Sequence, residues 1–173
     1  TLAAQEPYLK PPAVVDSILD APRLPALVPS PDGNVVLLAE PTPAPTIADM
    51  AQPMLRLAGL RINPNTNGPH SPVGYRSLVL RDVTTGAERR LVTPAGVRIQ
   101  LPRWSPDGRY LSFTTTAPGG IDLWVATAAT GAARALTPRK LNAVTRDPCE
   151  WSPNSAQLIC QFIPEGRGPA PKE

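Results

Sequence analysis

A chain of 173 residues can bury one ordinary core or form a slice of a larger repeat domain, and 24 prolines with 12 glycines favour short, turn-separated elements over a helical bundle. Seventeen basic against fourteen acidic residues leave +3, and the arginines are scattered rather than gathered in a phosphate-tracking run, so nucleic acid is not an expected partner. The longest apolar stretch, Val35 to Ala39, is strand-sized and far below the ~20 residues that cross a bilayer as a helix, so no membrane span is expected.

The leading residues Thr1-Leu2-Ala3-Ala4-Gln5 fit the small-residue end of a cleaved secretory signal, and equally a trimmed start. From Pro12 to Leu19, Val15, Ile18 and Leu19 stand at helical spacing, which predicts one or two turns of helix docked on something apolar. Then a turn begins to recur: Ser30-Pro31-Asp32-Gly33, Ser105-Pro106-Asp107-Gly108 and Ser152-Pro153-Asn154-Ser155. Proline presets the first corner, the Asp or Asn side chain bonds the backbone ahead, and glycine accepts positive φ, so each tetrapeptide prescribes a hairpin turn. The third copy lacks its glycine. Strand-length runs apolar on nearly both faces follow, Val35-Val36-Leu37-Leu38, Tyr110-Leu111-Ser112-Phe113 and Gln157-Leu158-Ile159-Cys160, and such strands are expected to be covered on both sides.

A second element repeats between these turns. Leu78 to Gly86 leads to Arg89-Arg90-Leu91, and Leu123 to Gly131 leads to Arg134-Ala135-Leu136, each closing on Thr-Pro, where proline suits a strand end. One full unit reads Trp104, the turn, Tyr110 to Thr115, Ile121 to Thr127 and Ala133 to Leu136, a four-stranded antiparallel meander. The 47 residues from Ser105 to Ser152 match the ~40 to 50 of a β-propeller blade. The fold class is therefore all-β, a partial β-propeller of two to three four-stranded antiparallel blades with a Pro-rich insertion in the first blade.

The units divide the chain into a leading segment (1–22), a partial propeller (23–165) and a linker or loop start (166–173). Within the propeller the first blade covers about 23–93 with the insertion at 40–75, the second about 98–138, and a third starts at about 143–163. In the insertion, Thr46-Ile47-Ala48-Asp49 offers a weak capping box for a short helix limited by Pro53. Leu55 to Ile62 reads as strand-like or irregular and ends in the turn-rich Asn63 to Gly68. The two cysteines, Cys149 and Cys160, flank the third turn evenly. A cross-strand disulfide is possible in an oxidising compartment, and two buried thiols are the alternative.

The Trp-Ser-Pro-Asp-Gly turns followed by Arg-Tyr-Leu-Ser-Phe strands resemble blades of TolB and prolyl oligopeptidase type propellers. More specifically, Tyr8-Leu9-Lys10-Pro11-Pro12, Asp20-Ala21-Pro22 and Pro53 to Pro64 with Thr66-Asn67-Gly68 resemble the glutamyl endopeptidase branch of the prolyl oligopeptidase family of serine peptidases, along nearly the whole chain. The resemblance implies an N-terminal propeller covering a C-terminal α/β-hydrolase domain, which is the implied partner together with peptide substrates. The chain itself is expected to be non-enzymatic, a fragment of a secreted or periplasmic peptidase. The alternative is a stand-alone TolB-like propeller module for protein–protein interaction.

No Gly-x-Ser-x-Gly nucleophile elbow occurs, and the nearest look-alike, Gly68-Pro69-His70-Ser71-Pro72, has the wrong spacing and no room for a following helix. His70 is the single histidine and reads as an exposed loop residue, so no catalytic residue is expected. Asp32, Asp107 and Asn154 read as turn formers rather than metal ligands, and no cofactor or metal is expected. Trp104, Trp124 and Trp151 read as packing between blades, and Arg89-Arg90 as a solvated pair. Arg56 and Arg61 lie in the most family-specific segment and are the candidate contacts to another domain or to substrate.

Overall fold

All three Ser-Pro turns close with the same bonds. In each, the serine hydroxyl donates to the Asp or Asn side chain two residues on, at 2.6 Å for Ser30–Asp32 and 2.7 Å for both Ser105–Asp107 and Ser152–Asn154. Each serine Oγ also accepts from the amide five residues on, that of Val35, Tyr110 or Gln157, at or just before the start of the following strand. The fourth position takes positive φ every time, 73° at Gly33, 70° at Gly108 and 61° at Ser155, so glycine's absence from the third copy does not change the turn. The computed structural model describes residues 10–70, 73–145 and 147–168. Thr1 to Gln5, Tyr8-Leu9, Ser71-Pro72 and the last five residues, with the readings placed on them, lie outside the described residues.

Strands β1 (Ala26–Pro29) and β2 (Val35–Pro41) flank the first turn; the insertion supplies β3 (Leu55–Leu57), β4 (Leu60–Asn63) and β5 (Gly68–Pro69). The first blade resumes with β6 (Tyr75–Asp82) and β7 (Glu88–Arg90), and the second is β8 (Arg98–Trp104), β9 (Tyr110–Ala117), β10 (Gly120–Thr127) and β11 (Ala133–Ala135). A third hairpin, β12 (Cys149–Trp151) and β13 (Leu158–Cys160), begins the next unit. The antiparallel orders β1-β2-β6-β7 and β8-β9-β10-β11 are two four-stranded meanders, bridged by one pair, Tyr75 opposite Ile99. Blade strands therefore reach slightly into the expected insertion, at Glu40, Pro41 and Tyr75, while the rest of that segment builds its own three-stranded sheet, β3-β4-β5.

Two cores sit between units. Leu37, Leu78 and Leu80 of the first blade bury completely against Ile99, Leu111 and Phe113 of the second. Ile121, Leu123, Leu141 and Cys149 form the other, against the third hairpin, with Leu158 and Phe162 packed on it. Each fully buried Leu or Phe contributes roughly 1.5–3 kcal/mol relative to exposure, so these layers dominate cohesion. The tryptophans add directional stitches: Trp104 Nε1 donates to the Val28 carbonyl (3.1 Å) and Trp151 Nε1 to the Arg103 carbonyl (3.4 Å). Each acceptor lies two residues before its blade's turn serine, so the stitch repeats with the blades. Trp124 stacks on Phe113, with ring centroids 6.2 Å apart.

Two expectations about burial are corrected. The helix α1 (Ala13–Leu19) forms, but none of its residues is buried and Val14, Ile18 and Leu19 face solvent, because no described element covers its apolar face. Strand β13 is not covered on both sides either: Ile159 is 71% exposed, since β12 is its one paired neighbour and no further described blade packs beyond it.

Candidate functional site

The insertion lies at the end of the blades that carries the β9–β10 turn and the loop into β8. Its helix α2 (Ile47–Met50) is one turn set by a reciprocal capping box. The Asp49 amide donates to Thr46 Oγ1 (3.1 Å), and the Asp49 carboxylate accepts from the Thr46 amide (2.9 Å). The same carboxylate pairs with Arg98 of β8 at 3.2 Å, fastening the helix to the second blade. Bonds from Thr46, with Arg98 adding a favourable charge, hold the Asp49 carboxyl below its usual range. Beside it opens a pocket of about 450 Å³, lined by Thr46, Asp49, Gln52, Asn63, Arg98 and Thr116 among others.

Strands β3 and β4 join through Ala58 (φ 48°) and Gly59 (φ 84°), the two consecutive positive-φ residues of a type I′ hairpin. The expected single run from Leu55 to Ile62 is thus folded back on itself, pairing Leu55 with Ile62, Arg56 with Arg61 and Leu57 with Leu60. Side chains alternate faces along a strand, so the two arginines share one face while Leu55 and the buried Ile62 share the other. Both arginines are exposed, and neither side chain makes an ion pair or hydrogen bond among the described residues.

Asn67, buried and at φ 58°, anchors the other end of this sheet. Its Nδ2 donates to Asn142 Oδ1 (3.3 Å), its Oδ1 accepts from Arg167 Nη1 (2.6 Å), and its carbonyl accepts from the Ala143 amide (3.0 Å). Gly68 follows where a Cβ would stand 2.5 Å from Ile121 Cδ1, so a larger residue there would have to displace the end of the Ile121 side chain.

The remaining sequence candidates separate from this region. Cys149 and Cys160 are directly opposed on β12 and β13 and are joined as a disulfide. His70 is half-buried rather than exposed, its Nε2 lying 3.0 Å from the Gln52 carbonyl. Asp32, Asp107 and Asn154 each serve their own turn; the Ser105 hydroxyl, then Arg109, pulls the Asp107 carboxyl down to about 2. Among the described residues no group of three His, Cys, Asp or Glu is placed to hold a metal ion. Arg90 is exposed, but Arg89 is half-buried beneath the turn at Gly131, whose would-be Cβ lies 3.6 Å from Arg89 Cβ. Sequence reading missed Asn67 and Ser155 as tying residues; the Asn67-Gly68 step and the missing third glycine were their visible signals.

Repeated four-stranded antiparallel meanders, stacked and stitched in register, define this chain as part of a β-propeller whose sheet does not close. Over 96% of its length it is 35% identical to a "Probable glutamyl endopeptidase, chloroplastic" of Oryza sativa subsp. japonica, and over 99% it is 34% identical to the protein of the same name from Arabidopsis thaliana. It spans 19% of the length of each. Over nearly its whole length the chain is thus related to a part of proteins named glutamyl endopeptidase, as a propeller part. No protein-family model matches it. Among solved structures, a putative dipeptidyl aminopeptidase IV from Bacteroides ovatus aligns with 79% of this chain and 20% of its own, at 16% identity and a TM-score of 0.47. An acylaminoacyl peptidase from Pyrococcus horikoshii aligns with 72% of this chain and 15% of its own, at 17% identity and a TM-score of 0.44.

Proposed function

We propose that this segment is the propeller cover of a serine endopeptidase, limiting which peptides reach an α/β-hydrolase active site carried by another part of a longer protein. The supporting observation is near-complete alignment of the chain with about a fifth of two proteins named glutamyl endopeptidases. Blades fastened by paired cores and tryptophan stitches make a stiff wall, and the insertion thickens one end of it with a pocket of mixed polar and apolar lining and an arginine-bearing hairpin. A size-selecting cover needs that stiffness. In this reading the chain hydrolyses nothing alone, and Arg56 and Arg61 contact substrate or the hydrolase domain. A secreted or periplasmic destination belongs to the same proposal and is supported by the paired Cys149 and Cys160.

The test compares this chain with the product of the longer reading frame containing it, on peptides with internal glutamate. Cleavage by the longer product alone is expected. A longer product without hydrolase activity, combined with capture of a protein partner by the blade loops, would replace this reading with a TolB-like interaction module, for which the open edge of β13 offers a surface.

A further inference from the structure

We propose that the Cys149–Cys160 disulfide is a redox-sensitive clasp for the insertion: with the bond closed the insertion sheet is held against the second blade, and two-electron reduction releases it. The clasp does not depend on the peptidase reading, because the path from disulfide to insertion runs through bonds within this chain.

That path is continuous. Directly after Cys160, the Gln161 amide donates to the Pro148 carbonyl (2.8 Å), the Gln161 carbonyl accepts from the Asn142 amide (2.9 Å), and the Ile163 amide donates to the Lys140 carbonyl (3.1 Å). Between these bonds Leu141 and Phe162 pair in an isolated bridge. The segment after β13 is thus a strap laid along 140–148, and its far end carries Arg167, whose Nη1 donates to Asn67 Oδ1 at 2.6 Å. Asn142 is gripped from both sides, its amide by the strap and its Oδ1 by Asn67 Nδ2 (3.3 Å). Asn67 stands immediately before β5, which pairs with β4 of the arginine-bearing hairpin. Whatever loosens the strap therefore loosens both side-chain bonds of Asn67. Strands of two to four residues do not hold the insertion sheet together without that seat.

Without the disulfide the strap has a weak root. β12 and β13 pair over three residues, and a two-stranded ladder of that length is marginal by itself in water. Its cover is one-sided: Cys149, Leu158 and Phe162 pack in the second core, while Ile159 faces solvent. The bond opens by thiol exchange with a dithiol reductant. The reductant's thiolate attacks Sγ of Cys160, which is half-buried on the open-edged strand, whereas Cys149 is buried. The S–S bond breaks, Cys149 departs as a thiolate and takes up a proton, and a mixed disulfide joins Cys160 to the reductant. The reductant's second thiol then closes its own disulfide and releases Cys160, protonated in turn, so two electrons and two protons pass to the protein. Cys149 and Cys160 are the chain's two cysteines, so no third thiol diverts the exchange.

The experiment follows amide hydrogen exchange of the full chain before and after millimolar dithiothreitol, with free thiols counted by alkylation. Exchange is expected to quicken about tenfold or more at Gln161 in the strap, at Ala143, which donates to the Asn67 carbonyl, and at His70, whose amide donates to the Arg61 carbonyl inside the insertion. Leu37 and Leu80 in the first core keep their protection, and reoxidation restores the slow rates. The Cys149→Ala, Cys160→Ala pair reproduces the reduced pattern and ignores the reductant. Arg167→Gln cuts the far end of the strap with the disulfide intact: Ala143 and His70 quicken before reduction, and dithiothreitol then adds less than about threefold there while still acting on Gln161. Quickening confined to Gln161, with Ala143 and His70 unchanged, makes the disulfide a local staple and overturns the proposal. Loss of protection at Leu37 and Leu80 along with the insertion overturns it too, as does a native chain whose disulfide dithiothreitol leaves intact.

Discussion

Ser155 Oγ accepts a hydrogen bond from the backbone amide of Asp107 at 3.0 Å, joining the third turn to the second across the blade interface. At the corresponding place one blade earlier Gly108 has no side chain to make such a bond, its would-be Cβ lying 3.5 Å from Pro31 Cδ and 3.8 Å from Asp32 Oδ1. Serine thus exchanges the conformational ease of glycine for a tie between units. Ser155→Ala is expected to cost about 0.5–1.5 kcal/mol through loss of that bond while keeping the φ of 61°. Ser155→Gly loses the same bond but relaxes the backbone, and should lie about 1 kcal/mol above the alanine variant in urea denaturation.

How much of this was readable depends on how local each cause is. The Ser-Pro turns and the blades they punctuate follow from side chains bonding their own backbone within five residues, so the fold class stood in the sequence. The hairpin at Ala58-Gly59 was harder, because alanine is an unusual donor of positive φ and the run around it reads as one strand. Exposure of α1 and of Ile159 depends on which neighbour packs there, which periodicity does not encode. Arg56 and Arg61 were visible as residue types, but their direct opposition is a property of the register.

Acid should loosen the turns in a defined order of pH. The Asp107 carboxyl is depressed to about 2 from an ordinary 3.8, chiefly by the Ser105 hydroxyl, and Asp32 is lowered for the same reason by Ser30. A carboxyl lowered by folding contributes stability that is fully present above its unfolded value and is lost as pH falls toward its folded one. Melting temperature is therefore expected to decline between about pH 4 and pH 2, and Asp107→Asn to flatten part of that decline. The third turn, built on Asn154, contributes nothing to the slope. A pH-independent melting temperature across that window would refute this account.

Reduction should act on one unit. β12 and β13 pair over only three residues each, and the Cys149–Cys160 bond closes a loop of sequence separation 11 at the end of that ladder. Closing a loop of that size is worth about 2–3 kcal/mol on the chain-entropy estimate. Thiol reductant, or the Cys149→Ala, Cys160→Ala pair, is expected to raise amide exchange at Gln157 and Gln161, whose amides bond across this hairpin, while Leu37 and Leu80 in the first core stay protected. Uniform loss of protection in both cores would show instead that the units unfold as one.

Asn67 is the residue on which the insertion's placement should turn. Its partners Asn142 and Arg167 lie 75 and 100 residues away, so one side chain ties the insertion sheet to the connection between the second and third units and to the segment after β13. Asn67→Ala removes both bonds, one of them charge-assisted, and retains a φ of 58° that alanine tolerates poorly; about 2–3 kcal/mol of destabilisation is expected. Asn67→Gly accepts the backbone and loses only the bonds, so its cost should be smaller by about 1 kcal/mol. Both variants should speed exchange of the Ala143 amide, which donates to the Asn67 carbonyl, and leave the tryptophan stitch at Trp104 intact by fluorescence.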